Sequence, residues 1–196
     1  MSGTGDLVTR HLISAMGSEP AKASVTFLGL EPIEILRFAV DGAQSAPGLV
    51  FASVGCSNHP MTDPTAMVAD PAVGPRAEVV LRMSGTDPLS GLHRAAATIA
   101  AAPAVEGLVL VADGLIDLSE PLWAGSSCTA VLLEADVIED CQLDPPAEPV
   151  RFLRAVPITA NEAAWVRLKG APALRGLWAQ SKIDVTDPHR GAAQLG

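Results

Sequence analysis

The sequence predicts a single α+β domain, a mixed and mainly antiparallel sheet flanked by helices. Three observations carry this. Short apolar runs with strand periodicity recur along the chain, separated by Gly, Pro and Asp turn signals. Helical periodicity appears near the start, the middle and the end only. The chain has 196 residues, 48% hydrophobic and 18% charged. That is enough for one sizeable core and too apolar for a disordered chain.

The elements follow in order. Leu7, Val8, Leu12, Ile13 and Met16 recur at helical spacing and Gly17 supplies a stop, so residues 4–17 predict an amphipathic helix. A strand-like run holds Val25, Phe27 and Leu30. A second holds Ile33, Ile35, Phe38 and Val40 and ends at the turn signal Asp41-Gly42. A third, residues 49–54, enters through Pro47-Gly48. Three such runs in succession predict an antiparallel meander. Residues 57–75, rich in Pro and Asp, read as a long surface loop.

Ala77, Val79, Leu81 and Met83 alternate along a fourth strand that ends at Ser84-Gly85. On that pattern Glu78 faces solvent or pairs with an Arg; a buried polar partner is the alternative. Residues 88–102, Ala-rich, predict a helix closed by Pro103. Residues 105–118 predict two short strands around Asp113-Gly114, and residues 129–137 another. After the Asp144-Pro145-Pro146 break, residues 150–156 form the strongest late strand. Thr159 and Glu162 then make a T-x-x-E capping box, opening a helix over 160–169 that stops at Gly170. A second short helix covers 171–181. The polar stretch 184–190 predicts turns, in which Asp184, Asp187 and Arg190 could pair locally.

Charge narrows the function. There are 13 Lys and Arg against 22 Asp and Glu, a net charge of −9. Such a chain repels phosphate backbones, so nucleic acid is not an expected partner, while a basic protein is attracted. No run of about 18 apolar residues predicts a membrane span, and the first residues do not read as a signal peptide. The three cysteines form no CxxC pair, which argues against a disulfide framework. The expected location is the cytoplasm. Ten Arg against three Lys and abundant Ala suit a high-GC bacterial genome.

Catalytic constellations are scarce. Cys56-x-x-His59 with Asp63 offers metal-ligand residue types on one loop, but a zinc site needs about four ligands and nothing supplies the rest. The same three residues lie too close together for a nucleophile–base–acid arrangement. No G-x-S-x-G, P-loop, G-x-G-x-x-G or H-E-x-x-H motif is present. No catalytic residue, metal or cofactor is expected. Trp123, Trp165 and Trp178 are either core residues or binding anchors.

Several segments together resemble the Suppressor of fused domain family. These are G-C-S-N at 55–58, R-A-E-V-V-L-R at 76–82, L-W-A-G at 122–125, the stretch V-R-F-L-R-A-V-P-I-T-A-N-E-A-A-W at 150–165, G-A-P-A-L at 170–174 and I-D-V-T-D-P-H-R at 183–190. Their joint order carries the likeness. It implies a Suppressor of fused-like domain over 23–192, preceded by an N-terminal helix and linker (1–22) and followed by a tail (193–196). It implies a mixed α+β fold and a protein-binding role without catalysis. Bacterial members resemble immunity proteins that neutralise toxins, which is the leading expectation. The alternatives are a regulatory or scaffolding protein with an endogenous partner, and an unrecognised metal- or Cys-dependent enzyme. The expected binding residues are His59 and Asp63 on the loop, then Trp165, Asp187 and Arg190. For the last three the alternative is a structural clamp tying the final helices to the sheet.

Overall fold

A computed structural model describes residues 3–40, 47–62 and 73–194. Seven strands form one open sheet: β1 (Ala21–Val25), β2 (Ile33–Val40), β3 (Gly48–Val54), β4 (Arg76–Ser84), β5 (Leu115–Asp117), β6 (Cys128–Ala135) and β7 (Val150–Thr159). Their spatial order is β1-β2-β3-β4-β7-β6-β5. Every pairing is antiparallel except β4 with β7, which is parallel. The expected mixed, mainly antiparallel sheet is therefore present, and the meander β1-β2-β3 extends through β4.

Helices cover both faces. On one face lies α2 (Leu92–Glu106), whose Ala95, Ala96, Ile99 and Ala100 pack on Ile35, Phe51, Val79, Leu81 and Leu133. Its alanines let the helix approach the sheet closely. The other face is shared. There α1 (Thr4–Met16) sets Val8 and Leu12 against Leu36, Phe38, Val50 and Val80. Beside it, α3 (Ala160–Lys169) and α4 (Ala171–Ser181) cover Ala130, Leu132, Val156 and Ile158. The central strands β3 and β4 are buried on both faces. That is why their residues run apolar without a clean alternation.

Four expectations change. The helix at 88–102 runs instead from Leu92 to Glu106, and Pro103 lies inside its last turn. Proline costs that turn one N–H bond but leaves its carbonyl free, and Gly107, in the left-handed region at φ 69°, donates to it and ends the helix. The two strands expected over 105–118 reduce to β5, because residues 105–106 finish α2 and 108–111 have no ladder partner among the described residues. The first run stops at Val25, since Leu30 N–H bonds back to Phe27 in a turn. Glu78 is buried, as described below. The Asp41-Gly42 turn lies outside the described residues.

Candidate functional site

The described members of the expected site do not converge. Because β4 runs from Arg76 to Ser84, the loop residues after β3 lie at its first end and the C-terminal segment at its last. At strand rise these ends are ~25 Å apart.

At the first end β3 and β4 part after the pair Ala52–Val80. The chain turns at Gly55, whose φ of 126° suits a residue without a side chain, and enters a 3-10 turn at Cys56–Asn58. The unpaired amides of this turn need acceptors in a dry place. Glu78 supplies them. One of its oxygens accepts from Gly55 N–H at 2.9 Å, Ser57 N–H at 3.0 Å and Ser57 Oγ at 2.6 Å. The other accepts from Ser53 Oγ at 2.5 Å. Arg76 donates to the carbonyls of Ser57 and Asn58. Burial raises the Glu78 carboxyl above the usual range, against the pull of its four neutral donors.

A cavity of about 490 Å³ opens beside this turn, lined by Leu30, Ile33, Cys56, His59, Met61 and Pro103 among others. His59 is exposed at its rim, 3.9 Å from Glu31. Leu28 is fully exposed on the preceding turn, and Val105 is mostly exposed. Asp63 lies outside the described residues, as does much of the long loop. The chemistry available here is limited. Burial, then the Glu78 charge, push the Cys56 thiol well above its ordinary value, which disfavours the thiolate a nucleophile needs. Ser53, Ser57 and Glu78 would make a hydroxyl–carboxylate pair, but all three are sealed from solvent. Among the described residues no group of His, Cys, Asp or Glu could hold a metal ion.

At the last end the capping box is present: Thr159 Oγ1 accepts from Glu162 N–H, and Thr159 N–H donates to Glu162. The same carboxylate does more than cap. Arg190 donates to both of its oxygens, at 2.9 and 3.0 Å, and its second amino group also donates to the Pro157 carbonyl at 2.6 Å. Trp178 Nε1 and Ala193 N–H complete the set at 3.0 and 3.2 Å. The guanidinium lies 5.8 Å from the Trp178 ring centre. Burial alone would raise Glu162; the Arg190, Thr159 and Trp178 donors outweigh it and hold the carboxyl below the usual range. One buried carboxylate thus joins β7, α3, α4 and the C-terminal segment.

Arg190 therefore turns inward, and the local ion-paired turn does not form. Asp184 and Asp187 instead accept from the amides of Thr186 and His189, each at 2.8 Å, as turn-forming side chains. Trp123 and Trp178 are buried, and Trp165 is half-buried with its N–H unbonded to any described residue. The sequence reading found Thr159 and Glu162 but missed Ser53, Ser57 and Arg76. Ser53 and Ser57 bracketing Gly55-Cys56 after a strand were the available signal, and alone it is weak.

A mixed sheet with α2 on one face and three helices on the other, clamped at its C-terminal end, defines a class of fold shared with solved structures. The crystal structure of a Sufu–Fu complex contains a chain matching at TM-score 0.70 and 16% identity, over 98% of this chain and 92% of that one. A Suppressor of fused homolog from Neisseria gonorrhoeae FA 1090 matches at 0.68 and 15%, over 98% and 97%. Drosophila Suppressor of Fused matches at 0.66 and 16% over 95% of this chain, which spans half of that chain's length. No curated protein sequence matches. The family model for the Suppressor of fused protein matches residues 29–191. The chain belongs to the Suppressor of fused family.

Proposed function

We propose that this protein is a non-catalytic protein-binding module of the cytoplasm. Its membership of the Suppressor of fused family carries the reading, because a solved relative was crystallised as a Sufu–Fu complex. The sealed Ser53–Ser57–Glu78 cluster and the raised Cys56 thiol support a role without catalysis. Among the described residues no helix is long and apolar enough to cross a membrane.

Within this reading the protein is an immunity protein that neutralises a toxin. Its net charge of −9 suits a basic toxin, drawn in by long-range attraction. The surface we assign to the partner surrounds His59, where the cavity beside Cys56 and the exposed Leu28 and Val105 offer apolar contact area, with Asp63 proposed as a further contact from the sequence alone. A regulatory role with an endogenous partner is the second reading, favoured by the complex formed by the Sufu relative. An affinity pull-down from the native cytoplasm, against an unrelated acidic control protein, tests the module. One stoichiometric partner supports it, and its identity as a toxin or a regulator decides between the two readings. Loss of function on Cys56→Ala or His59→Ala with no partner captured would overturn it in favour of an enzyme. For a basic toxin, association slows steeply with added salt; a salt-independent rate contradicts the steering.

A further inference from the structure

A second surface lies at the first edge of the sheet. β1 is an edge strand, and no described residue pairs with its outer backbone groups. Its register places Ala21 beside Arg37, Ala23 beside Ile35 and Val25 beside Ile33. Ala21 and Ala23 are small, so the sheet face near this edge stays open. A cleft of about 400 Å³ results, with Ile35 and Phe51 as floor and Leu89 and His93 at the start of α2 as far wall. Arg37 and His93 line it, Lys22 borders it from a strand position that alternates to the sheet's other face, and no Asp or Glu among the described residues does. These three side chains make no hydrogen bond or ion pair with any described residue. In a chain with 22 acidic and 13 basic residues, an apolar cleft that holds an arginine unpaired among the described residues and no described carboxylate stands out. Asp87, next in sequence to the lining residue Pro88, lies 4.0 Å from His189.

We propose that the β1 edge and this cleft bind an extended, carboxylate-bearing peptide segment of a partner protein. The peptide adds to β1 as an eighth strand, so its backbone satisfies the open edge. Alternate residues then face the cleft. One apolar side chain sits over Ala21 and Ala23 against Ile35 and Phe51, and a carboxylate two residues away reaches Arg37 and His93. Charge selects this occupant over a second copy of the chain, because two copies that each carry a net charge of −9 repel. The inference concerns a different face from the partner surface proposed above and does not depend on the partner's identity.

The test is selection of a random octapeptide library on the immobilised protein, with the Arg37→Ala protein as counter-target. Arg37 is exposed, and an unchanged thermal unfolding curve confirms that the variant folds. Selected peptides are expected to carry Asp or Glu two positions from an apolar residue. Changing that acid to Gln should weaken binding about tenfold, as should Arg37→Ala. Arg37→Glu should reverse the preference toward a Lys-bearing version of the same peptide. Amide NMR shifts on adding the peptide should centre on residues 21–25. Peptides enriched equally on both proteins, equal affinity for the acid and Gln versions, no enrichment at all, or shifts centred elsewhere would each overturn the proposal.

Discussion

Glu78 and Glu162 are both sealed from solvent, and they are held in opposite ways. Glu78 is surrounded by neutral donors, two hydroxyls and two amides, and burial dominates. Glu162 faces the Arg190 guanidinium, an indole N–H, the Thr159 hydroxyl and the backbone amides of Thr159 and Ala193, and its donors dominate. The difference follows from what each must join. Glu78 closes a turn within 25 residues of itself, where local amides suffice. Glu162 gathers four elements, and a bidentate cation supplies the strength and direction to hold a C-terminal segment that has no ladder of its own.

The contrast predicts a hierarchy. Arg190→Ala should have the largest effect, because it strands a buried carboxylate: a loss of about 3–5 kcal/mol in urea unfolding, with partner affinity unchanged for the folded fraction. A weakened affinity at full folding would return Arg190 to the binding surface. Glu162→Gln comes next, at roughly 3 kcal/mol, since donors fill both of its oxygens and the new amide N–H₂ must face some of them. Glu78→Gln should cost only about 1 kcal/mol. Its carboxamide oxygen can keep the three donors on one side, and its N–H₂ meets Ser53 Oγ on the other. Equal losses for the two Gln variants would erase the distinction.

The smallest effect lies in pH. The Glu162 carboxyl is lowered on folding, so its stabilisation is full above the unfolded carboxylate range, about pH 4.3, and is lost as pH falls through its folded value. The Glu78 carboxyl is raised on folding, so its contribution is full below that range and declines as pH rises through its folded value. Stability–pH curves should show the acid limb flattening in Glu162→Gln and the decline at higher pH flattening in Glu78→Gln.

Much of this was legible in the sequence, and the two glutamates show where legibility stops. Thr159-x-x-Glu162 is a local pattern, so the cap and the helix after it could be read directly. That Glu162 also binds Arg190, 28 residues on, is a tertiary fact with no local spacing. For Glu78 the solvent-facing reading yields to the buried-partner alternative, because Ala77, Val79, Leu81 and Met83 alone suggested one buried face. Val80, equally apolar on the other parity, was the sign that β4 is covered on both sides. Pro103 misled as a helix stop because a proline one turn before the end is tolerated when a glycine follows at C′. The family was legible from the order of short segments, whereas the cleft beside β1 was not, since Arg37 and His93 come to line it only through the packing of α2 on the sheet.

The most direct measurement of the account is an NMR titration of the side-chain carboxyl carbons of the folded protein, assigned with the two Gln variants. It should place Glu162 below the usual carboxylate range and Glu78 above it. Both carboxyls titrating on the same side of that range would contradict the division between a cation-held clamp and a neutrally held turn.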